Sequence, residues 1–200
     1  MKEERVKLAP ARAILLEVLC DMVSYGEFIS VFAAEKIVYF LQRLGARDIF
    51  KIDFVRGYYG PYSGGKIAHV LYYLNGSYIK GMVGMQNRPF DEIWLLDGTH
   101  EYITSYLSIP ENKQYLEMAE RAKNFLRGYY SNYSLELLST IDYILTDELS
   151  ASRDCDMDDA TFIGYINDNI SSWSTRKQRI FTGSKYIPMI INHLKENQMI

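Results

Sequence analysis

Apolar residues recur at helical spacing along much of the chain, and this pattern constrains the fold more than any other feature. The first such run opens at Pro10, a residue type favoured in the first turn of a helix, and stops at Gly26. A second run follows Ser30, whose hydroxyl can cap a helix, and stops at Gly45. The core-facing residues predicted for these two helices are Ile14, Leu15, Val18, Leu19, Met22, Phe32, Ala33, Ile37, Phe40 and Leu41.

Short strand signals interrupt the helices of the N-terminal half. Apolar and polar residues alternate over residues 50–54, and two further strand candidates lie at residues 77–82 and 92–96. A glycine-rich loop and a short helix over residues 66–74 lie between the first candidate and the others. We therefore expect an α+β fold that is mainly α, with a small antiparallel β element and a winged-helix-like N-terminal half.

The C-terminal half is predicted to consist of helices. Ser108 and Glu111 form a capping box around Pro110, Ser134 begins a second helix, and Ser184 caps the last one. Apolar residues at positions 162–170 predict a further helix. Because no linker or repeat separates the two halves, we expect one domain over residues 1–200. Its predicted parts are helices with a small sheet over 9–98 and a helical half over 108–197.

Composition excludes several classes of protein. The longest apolar runs, such as residues 37–41, are far shorter than the ~20 residues of a membrane-spanning helix. The first 12 residues carry no apolar signal segment, and two cysteines in 200 residues are typical of a reducing compartment. These features predict a cytoplasmic protein without a membrane partner. The net charge of −3 makes direct binding to nucleic acid an unfavoured function.

No local motif for catalysis or metal binding is found. The three histidines are isolated, so the clustered ligands of a zinc site are missing. Asp154, Asp156 and Asp158 resemble the start of a calcium loop, but Asp159 replaces the required glycine and Tyr165 the required glutamate. The segment around Lys66 lacks the Ser or Thr of a phosphate-binding loop. We therefore expect no catalytic residue, no metal and no cofactor, and predict that the chain is not an enzyme.

Two other features suggest binding to a partner. Residues 136–168 carry nine acidic side chains and one basic one, and the chain has 17 tyrosines. The acidic residues are either a solvated loop or a surface for a basic partner. The tyrosines either pack at the edge of the core or form a recognition surface, and for the YGPY turn a scaffold role is favoured over a binding role. The candidate partner-binding residues are an acidic strip, comprising Asp147, Glu148, Asp154, Asp156, Asp158 and Asp159, and the tyrosines Tyr58, Tyr59 and Tyr62.

Several segments together resemble a known family. They are KIVYFLQ at 36–42, FVRGYYGPY at 54–62, HVL at 69–71, LNGSYIKG at 74–81, LELLST at 135–140, and Trp173 with Arg176, Lys177 and Phe181. This set resembles the C-terminal, toxin-neutralising domain of DarG, from the DarT–DarG toxin–antitoxin system. The K-x-x-Y-F-L pattern of the helix at 36–41 and the YGP turn at 59–61 alone resemble, more distantly, the Panacea (SocA-like) antitoxin domains.

The resemblance implies a function. DarT toxins ADP-ribosylate thymidine bases of single-stranded DNA with NAD, and DarG combines a macrodomain that removes the mark with a domain that binds DarT. Because the sequence begins shortly before the resembling region, we expect the macrodomain to be absent. The expected function is an antitoxin module that binds a DarT-like toxin, as a monomer or in a 1:1 complex. Its carboxylates and aromatic rings would occlude the toxin's single-stranded-DNA site as a DNA mimic.

Two alternatives stay open from the sequence. A winged-helix-like DNA-binding regulator, acting on its own toxin–antitoxin operon, would fit the N-terminal half. The basic residues there are scattered among acidic neighbours, which disfavours this alternative. An enzyme of unrecognised type ranks last, because no catalytic constellation is found.

Overall fold

The computed structural model describes the backbone over residues 5–148 and 159–200, and the side chains over 5–146 and 160–200. The chain forms two compact units. The first contains the described residues up to Val55 together with Tyr62–Asn132, and the second contains Arg56–Pro61 and the described part of Tyr133–Ile200. The prediction of a single domain over residues 1–200 stays a prediction.

Helices dominate the first unit. It contains α1 (Pro10–Ser24), α2 (Val31–Leu41), α3 (Arg47–Phe50), α4 (Lys66–Leu74), α5 (Thr99–Leu107) and α6 (Lys113–Leu126), with a π-helical turn at Gln42–Ala46 and a 3-10 turn at Pro110–Asn112. Helix α1 is buried almost all round and packs against α2, α5 and α6, which makes it the centre of the core. Pro10 begins α1 and the Ser30 Oγ accepts a hydrogen bond from the Ala33 N–H at 3.1 Å, as the sequence predicts.

Two pairs of short strands complete the sheet structure. β1 (Val55–Gly57) pairs with β2 (Gly60–Tyr62), and β3 (Ile79–Lys80) pairs antiparallel with β4 (Trp94–Leu95). In the second pair Ile79 lies opposite Leu95 and Lys80 opposite Trp94. The mainly helical α+β fold is thus confirmed, whereas the winged-helix likeness of the N-terminal half stays a prediction.

The strand predicted at residues 50–54 is wrong. Phe50 instead ends α3, and Lys51 takes a left-handed conformation with φ 53°. The side chain of Gln42 then bonds both backbone groups of Ile52: Nε2 donates to the carbonyl at 2.7 Å, and Oε1 accepts from the N–H at 2.8 Å. Because a side chain satisfies the backbone of Ile52, that residue needs no neighbouring strand. The strand begins later, at Val55.

The second unit is built from helices and the β1–β2 turn. Its helices are α7 (Asn132–Tyr143), continued by a π-helical segment Ile144–Glu148, then α8 (Asp159–Trp173), α9 (Thr175–Phe181) and α10 (Ile187–Glu196). In α10 the buried residues are Ile187, Ile190, Ile191 and Leu194, as predicted. None of the helices within 5–148 and 159–200 combines the length and apolar character needed to cross a membrane. The cytoplasmic location stays a prediction.

The capping box predicted at Ser108 is also wrong. Ser108 ends α5, which the sequence analysis missed, and its hydroxyl donates to the carbonyl of Ser105 at 3.0 Å. The next long helix starts only at Lys113. Helix α9 was missed as well, although Ser174 caps it by accepting a hydrogen bond from the Lys177 N–H. Both helices are short, seven and nine residues, and therefore show little periodicity.

Candidate binding surface

Two of the predicted tyrosines lie at the turn between β1 and β2. We call residues Arg56–Pro61, which belong to the second unit, the tyrosine hairpin. Tyr58 is 58% exposed, and its ring meets that of Tyr59 edge-on, with 4.8 Å between the centroids. Gly60 takes φ 108°, a conformation that favours glycine, and both Gly60 and Pro61 are buried. The turn therefore places an exposed Tyr58 two residues before the buried Gly60 and Pro61.

An arginine from α9 packs against both tyrosines. The guanidinium carbon of Arg176 lies 4.9 Å from the ring centroid of Tyr59 and 5.7 Å from that of Tyr58, within the range of cation–π attraction. The same guanidinium bonds both carboxylate oxygens of Glu136 on α7, with Nη2 at 3.0 Å from Oε2. These hydrogen bonds raise the pKa of Arg176, so this cation keeps its charge.

Glu136 also holds a completely buried lysine. The Nζ of Lys177 donates to Glu136 Oε1 at 2.8 Å and to the hydroxyl of Thr140 at 3.0 Å. Burial lowers the pKa of Lys177 to about 8, although the nearby Glu136 carboxylate opposes this shift. A buried amine with a lowered pKa is a feature of reactive lysines, but this ammonium has no exposed surface. The position of Lys177 therefore fits a role in holding the cluster together.

Trp173, at the end of α8, fixes the base of the hairpin. Its indole Nε1 donates to the carbonyl of Gly57 at 2.9 Å, and the guanidinium of Arg56 lies 4.4 Å from the ring centroid. Arg56 also donates to the carbonyl of Asn169 at 3.4 Å. The ring of Tyr143 meets the Trp173 ring edge-on at 5.7 Å. The hairpin is thus attached to α8 by hydrogen bonds and to α9 by the cation–π contacts of Arg176, and α7 supports it indirectly through its contacts with Trp173 and Arg176.

The other tyrosines divide between the core and the surface. Tyr78 and Tyr130 are buried, and their hydroxyls donate to the carbonyl of Val6 and to the carboxylate of Asp21, both at 2.7 Å. Tyr62 belongs to the first unit and is 44% exposed, so its ring is not fully packed under α4. Packing in the core is therefore the role of Tyr78 and Tyr130, whereas a recognition role for the exposed tyrosines stays a prediction.

Most of the acidic strip cannot be placed against the hairpin. Asp154, Asp156 and Asp158 lie outside the described residues. Asp147 and Glu148 belong to the backbone of the π-helical segment that follows α7, and Asp159 begins α8. A role for these six residues in binding stays a prediction. In the part of the chain that is described, no group of three or more His, Cys, Asp or Glu residues could hold a metal ion.

Glu136, Arg176 and Lys177, which support the hairpin, were not predicted from the sequence to lie together. Glu136 belongs to the acidic segment 136–168 and to the LELLST segment, but 40 residues separate it from Arg176. No local motif can connect residues so far apart. The available signals were the LELLST segment, which contains Glu136, and the segment with Trp173, Arg176, Lys177 and Phe181, because both carry part of the resemblance to DarG.

The comparison with known proteins supports a relation to DarG at a coarse level. No family model matches the chain. The chain is 29% identical over 179 residues to a protein of Thermus aquaticus named DNA ADP-ribosyl glycohydrolase. The match covers 86% of this chain but only 43% of the relative, so the chain spans less than half of that protein's length. The similarity does not single out a toxin-neutralising domain.

The same comparison contradicts the prediction that the chain is not an enzyme. The relative is named for a glycohydrolase activity, which is an enzymatic reaction. The prediction depended on the lack of local catalytic motifs. Such motifs detect metal sites, phosphate loops and paired nucleophiles, but they do not detect an active site assembled from residues far apart in the sequence.

Proposed function

We propose that this chain binds a DarT-like toxin and blocks its modification of single-stranded DNA. The similarity to a DNA ADP-ribosyl glycohydrolase over 86% of the chain is the observation that carries the proposal. Together with the segments that resemble DarG, it points to the toxin–antitoxin pair in which DNA ADP-ribosylation is made and reversed. The proposed contact residues are Tyr58, Tyr59 and Tyr62 with the acidic strip, Asp147, Glu148, Asp154, Asp156, Asp158 and Asp159.

The geometry of the tyrosine hairpin supports a protein-binding role. Tyrosine is enriched at the energetic centres of interfaces, because a large ring with few rotatable bonds loses little entropy on binding. Tyr58 offers such a ring at the surface, and the ring of Tyr59 and the guanidinium of Arg176 pack against it. A side chain that is already positioned in the free protein avoids part of the ordering cost of association.

The charges near the hairpin change the expected form of DNA mimicry. Arg56 lies beside the ring of Trp173, and Arg176 lies beside the ring of Tyr59. Glu136, the carboxylate that contacts Arg176, is buried. The hairpin therefore contributes aromatic surface without exposed carboxylates of its own. We propose that the acidic strip supplies the negative charge for a basic groove of the toxin, while the hairpin supplies apolar and hydrogen-bonding contacts.

The two contributions predict different salt responses. The purified chain should inhibit ADP-ribosylation of a thymidine-containing single-stranded oligonucleotide by a DarT-like toxin. Asp154→Asn, Asp156→Asn and Asp158→Asn together should weaken inhibition at low salt and reduce its salt dependence. Tyr58→Ala should weaken inhibition about equally at low and high salt. Failure of the unaltered chain to inhibit the toxin at micromolar concentration would contradict the proposal.

A second candidate function is the removal of ADP-ribose from DNA. The name of the Thermus aquaticus relative favours it. The chain would be incubated with an ADP-ribosylated oligonucleotide in the absence of toxin, and release of ADP-ribose would be followed over time. Steady release with turnover above one per chain would establish this activity.

The alternative of a DNA-binding regulator has a separate test. If the chain slows the migration of duplex DNA from its own operon in a gel shift at low salt, this result would favour the regulator.

A further inference from the structure

We propose that Arg176 is a positioning residue of the tyrosine hairpin and that Glu136 and Lys177 set its orientation. The inference rests on the proposed function in one respect only, namely that the hairpin contacts the toxin. It assigns to α7 and α9 the task of fixing the two rings before the partner arrives.

The direction of the Arg176 side chain is determined by its hydrogen bonds. A guanidinium is planar, and its paired donors match the two oxygens of a carboxylate, so a bidentate contact fixes orientation as well as distance. Glu136 is almost fully buried on α7 and receives both donors. Lys177, the next residue of α9, donates to the same carboxylate and limits its movement further. Arg176 is therefore held against the hairpin.

The charge balance of the cluster favours the tyrosine contact. Arg176 and Lys177 contact the same carboxylate of Glu136, so Arg176 shares this counter-ion with a second cation. Aromatic ring faces attract a cation and add to the stabilisation of the Arg176 guanidinium. The rings of Tyr59 and Tyr58 lie 4.9 and 5.7 Å from the guanidinium carbon. These contacts therefore stabilise the conformation in which both rings lie over Arg176. The conformation of the hairpin is thereby coupled to the ion pairs of Glu136.

This coupling predicts the effect of replacing the planar guanidinium of Arg176. In Arg176→Lys the positive charge is kept, but an ammonium cannot bond the carboxylate in two parallel contacts or cover two rings at once. Both tyrosines then gain rotational freedom in the free protein. Ordering two such side chains on binding weakens affinity about tenfold, and for variants of one interface this change lies mainly in the dissociation rate.

The test compares Arg176→Lys and Arg176→Met with Arg179→Lys, a matched control at an exposed position of the same helix. Hydrogen exchange of the residue 56–60 amides and the ring NMR signals of Tyr58 and Tyr59 are recorded without toxin. Dissociation from the toxin is measured separately. We expect about tenfold faster exchange and dissociation in both Arg176 variants, shifted ring signals, and no change in the control.

Each outcome decides one of the two claims. Unchanged exchange and unchanged ring signals in Arg176→Lys and Arg176→Met would overturn the positioning role, whether or not the toxin binds. Faster exchange with unchanged dissociation would overturn the claim that positioning serves the partner. If the unaltered chain does not bind the toxin, the proposed function fails, while the measurements on the free protein still decide whether Arg176 orders the hairpin.

Discussion

The buried ammonium of Lys177 leads to a prediction about stability at alkaline pH. Lys177→Met removes this charge and keeps a side chain of similar length. Glu136 keeps its bidentate contact with Arg176, so no buried carboxylate is left without a cation. The variant should therefore fold, and it should differ from the unaltered protein in how its stability depends on pH.

The sign follows from the lowered pKa of Lys177. In the folded protein this pKa is about 8, whereas the ordinary value is 10.5. Between these two pH values the unfolded chain binds more protons than the folded one, so the free energy of unfolding rises with pH. The difference in pKa corresponds to about 3 kcal/mol, at about 1.4 kcal/mol per pKa unit. In Lys177→Met this contribution to the rise of the unfolding free energy with pH is missing.

The assay needs a probe that reports on the second unit alone. The chain has two tryptophans, Trp94 in the first unit and Trp173 in the second. In a Trp94→Phe background, the fluorescence of Trp173 follows urea unfolding near the cluster. In that background, the free energy of unfolding would be measured with Lys177 intact and with Lys177→Met added, from about pH 7 to 10.5, a range that spans both pKa values of the lysine.

Subtracting the two curves cancels the tyrosines and lysines that titrate in both proteins. The account predicts that the difference, protein with Lys177 intact minus variant, increases by up to about 3 kcal/mol across this range. Parallel curves would refute the argument, because the folded and unfolded states would then bind the Lys177 proton equally. A difference that decreases with pH would show that the carboxylate of Glu136 outweighs burial.

Three further predictions concern the first unit. Ser30→Ala removes the acceptor for the Ala33 N–H and should lower the free energy of unfolding by about 1 kcal/mol in urea titrations, whereas Ser30→Thr should lose less. Gly81→Ala places a methyl group 2.9 Å from a backbone carbonyl at φ 111° and should cost about 1–3 kcal/mol or more; Gly84→Ala, with open space around it, is the control and should cost less. Burial raises the pKa of Glu35, so stability should fall as the pH rises above 4.5, and Glu35→Gln should abolish this fall in a pH series of thermal melts.

The features that the sequence predicts well have local causes. Helix α1 follows from Pro10 and from apolar spacing, and α2 follows from the Ser30 cap. The β3–β4 pair also lies within the predicted segments, although each strand is only two residues long. Each of these elements is specified by residues within a few positions of one another.

The features that the sequence could not predict depend on distant residues. Phe50 and Ile52 alternate like a strand, but the side chain of Gln42, ten residues earlier, takes both backbone hydrogen bonds of Ile52. The support of the hairpin depends in the same way on Glu136 and Arg176, which meet only through folding. The sequence could therefore identify Tyr58 and Tyr59 as candidates without indicating what holds them.

The central claim is that the tyrosine hairpin binds a DarT-like toxin. Isothermal titration of the toxin into the unaltered chain and into a Tyr58→Ala/Tyr59→Ala variant tests it most directly, with Tyr72→Ala as an exposed-tyrosine control. The account predicts saturable binding by the unaltered chain and the control, and about a hundredfold loss or more in the double variant. Equal affinity of the double variant, or no heat of binding with the unaltered chain, would contradict it.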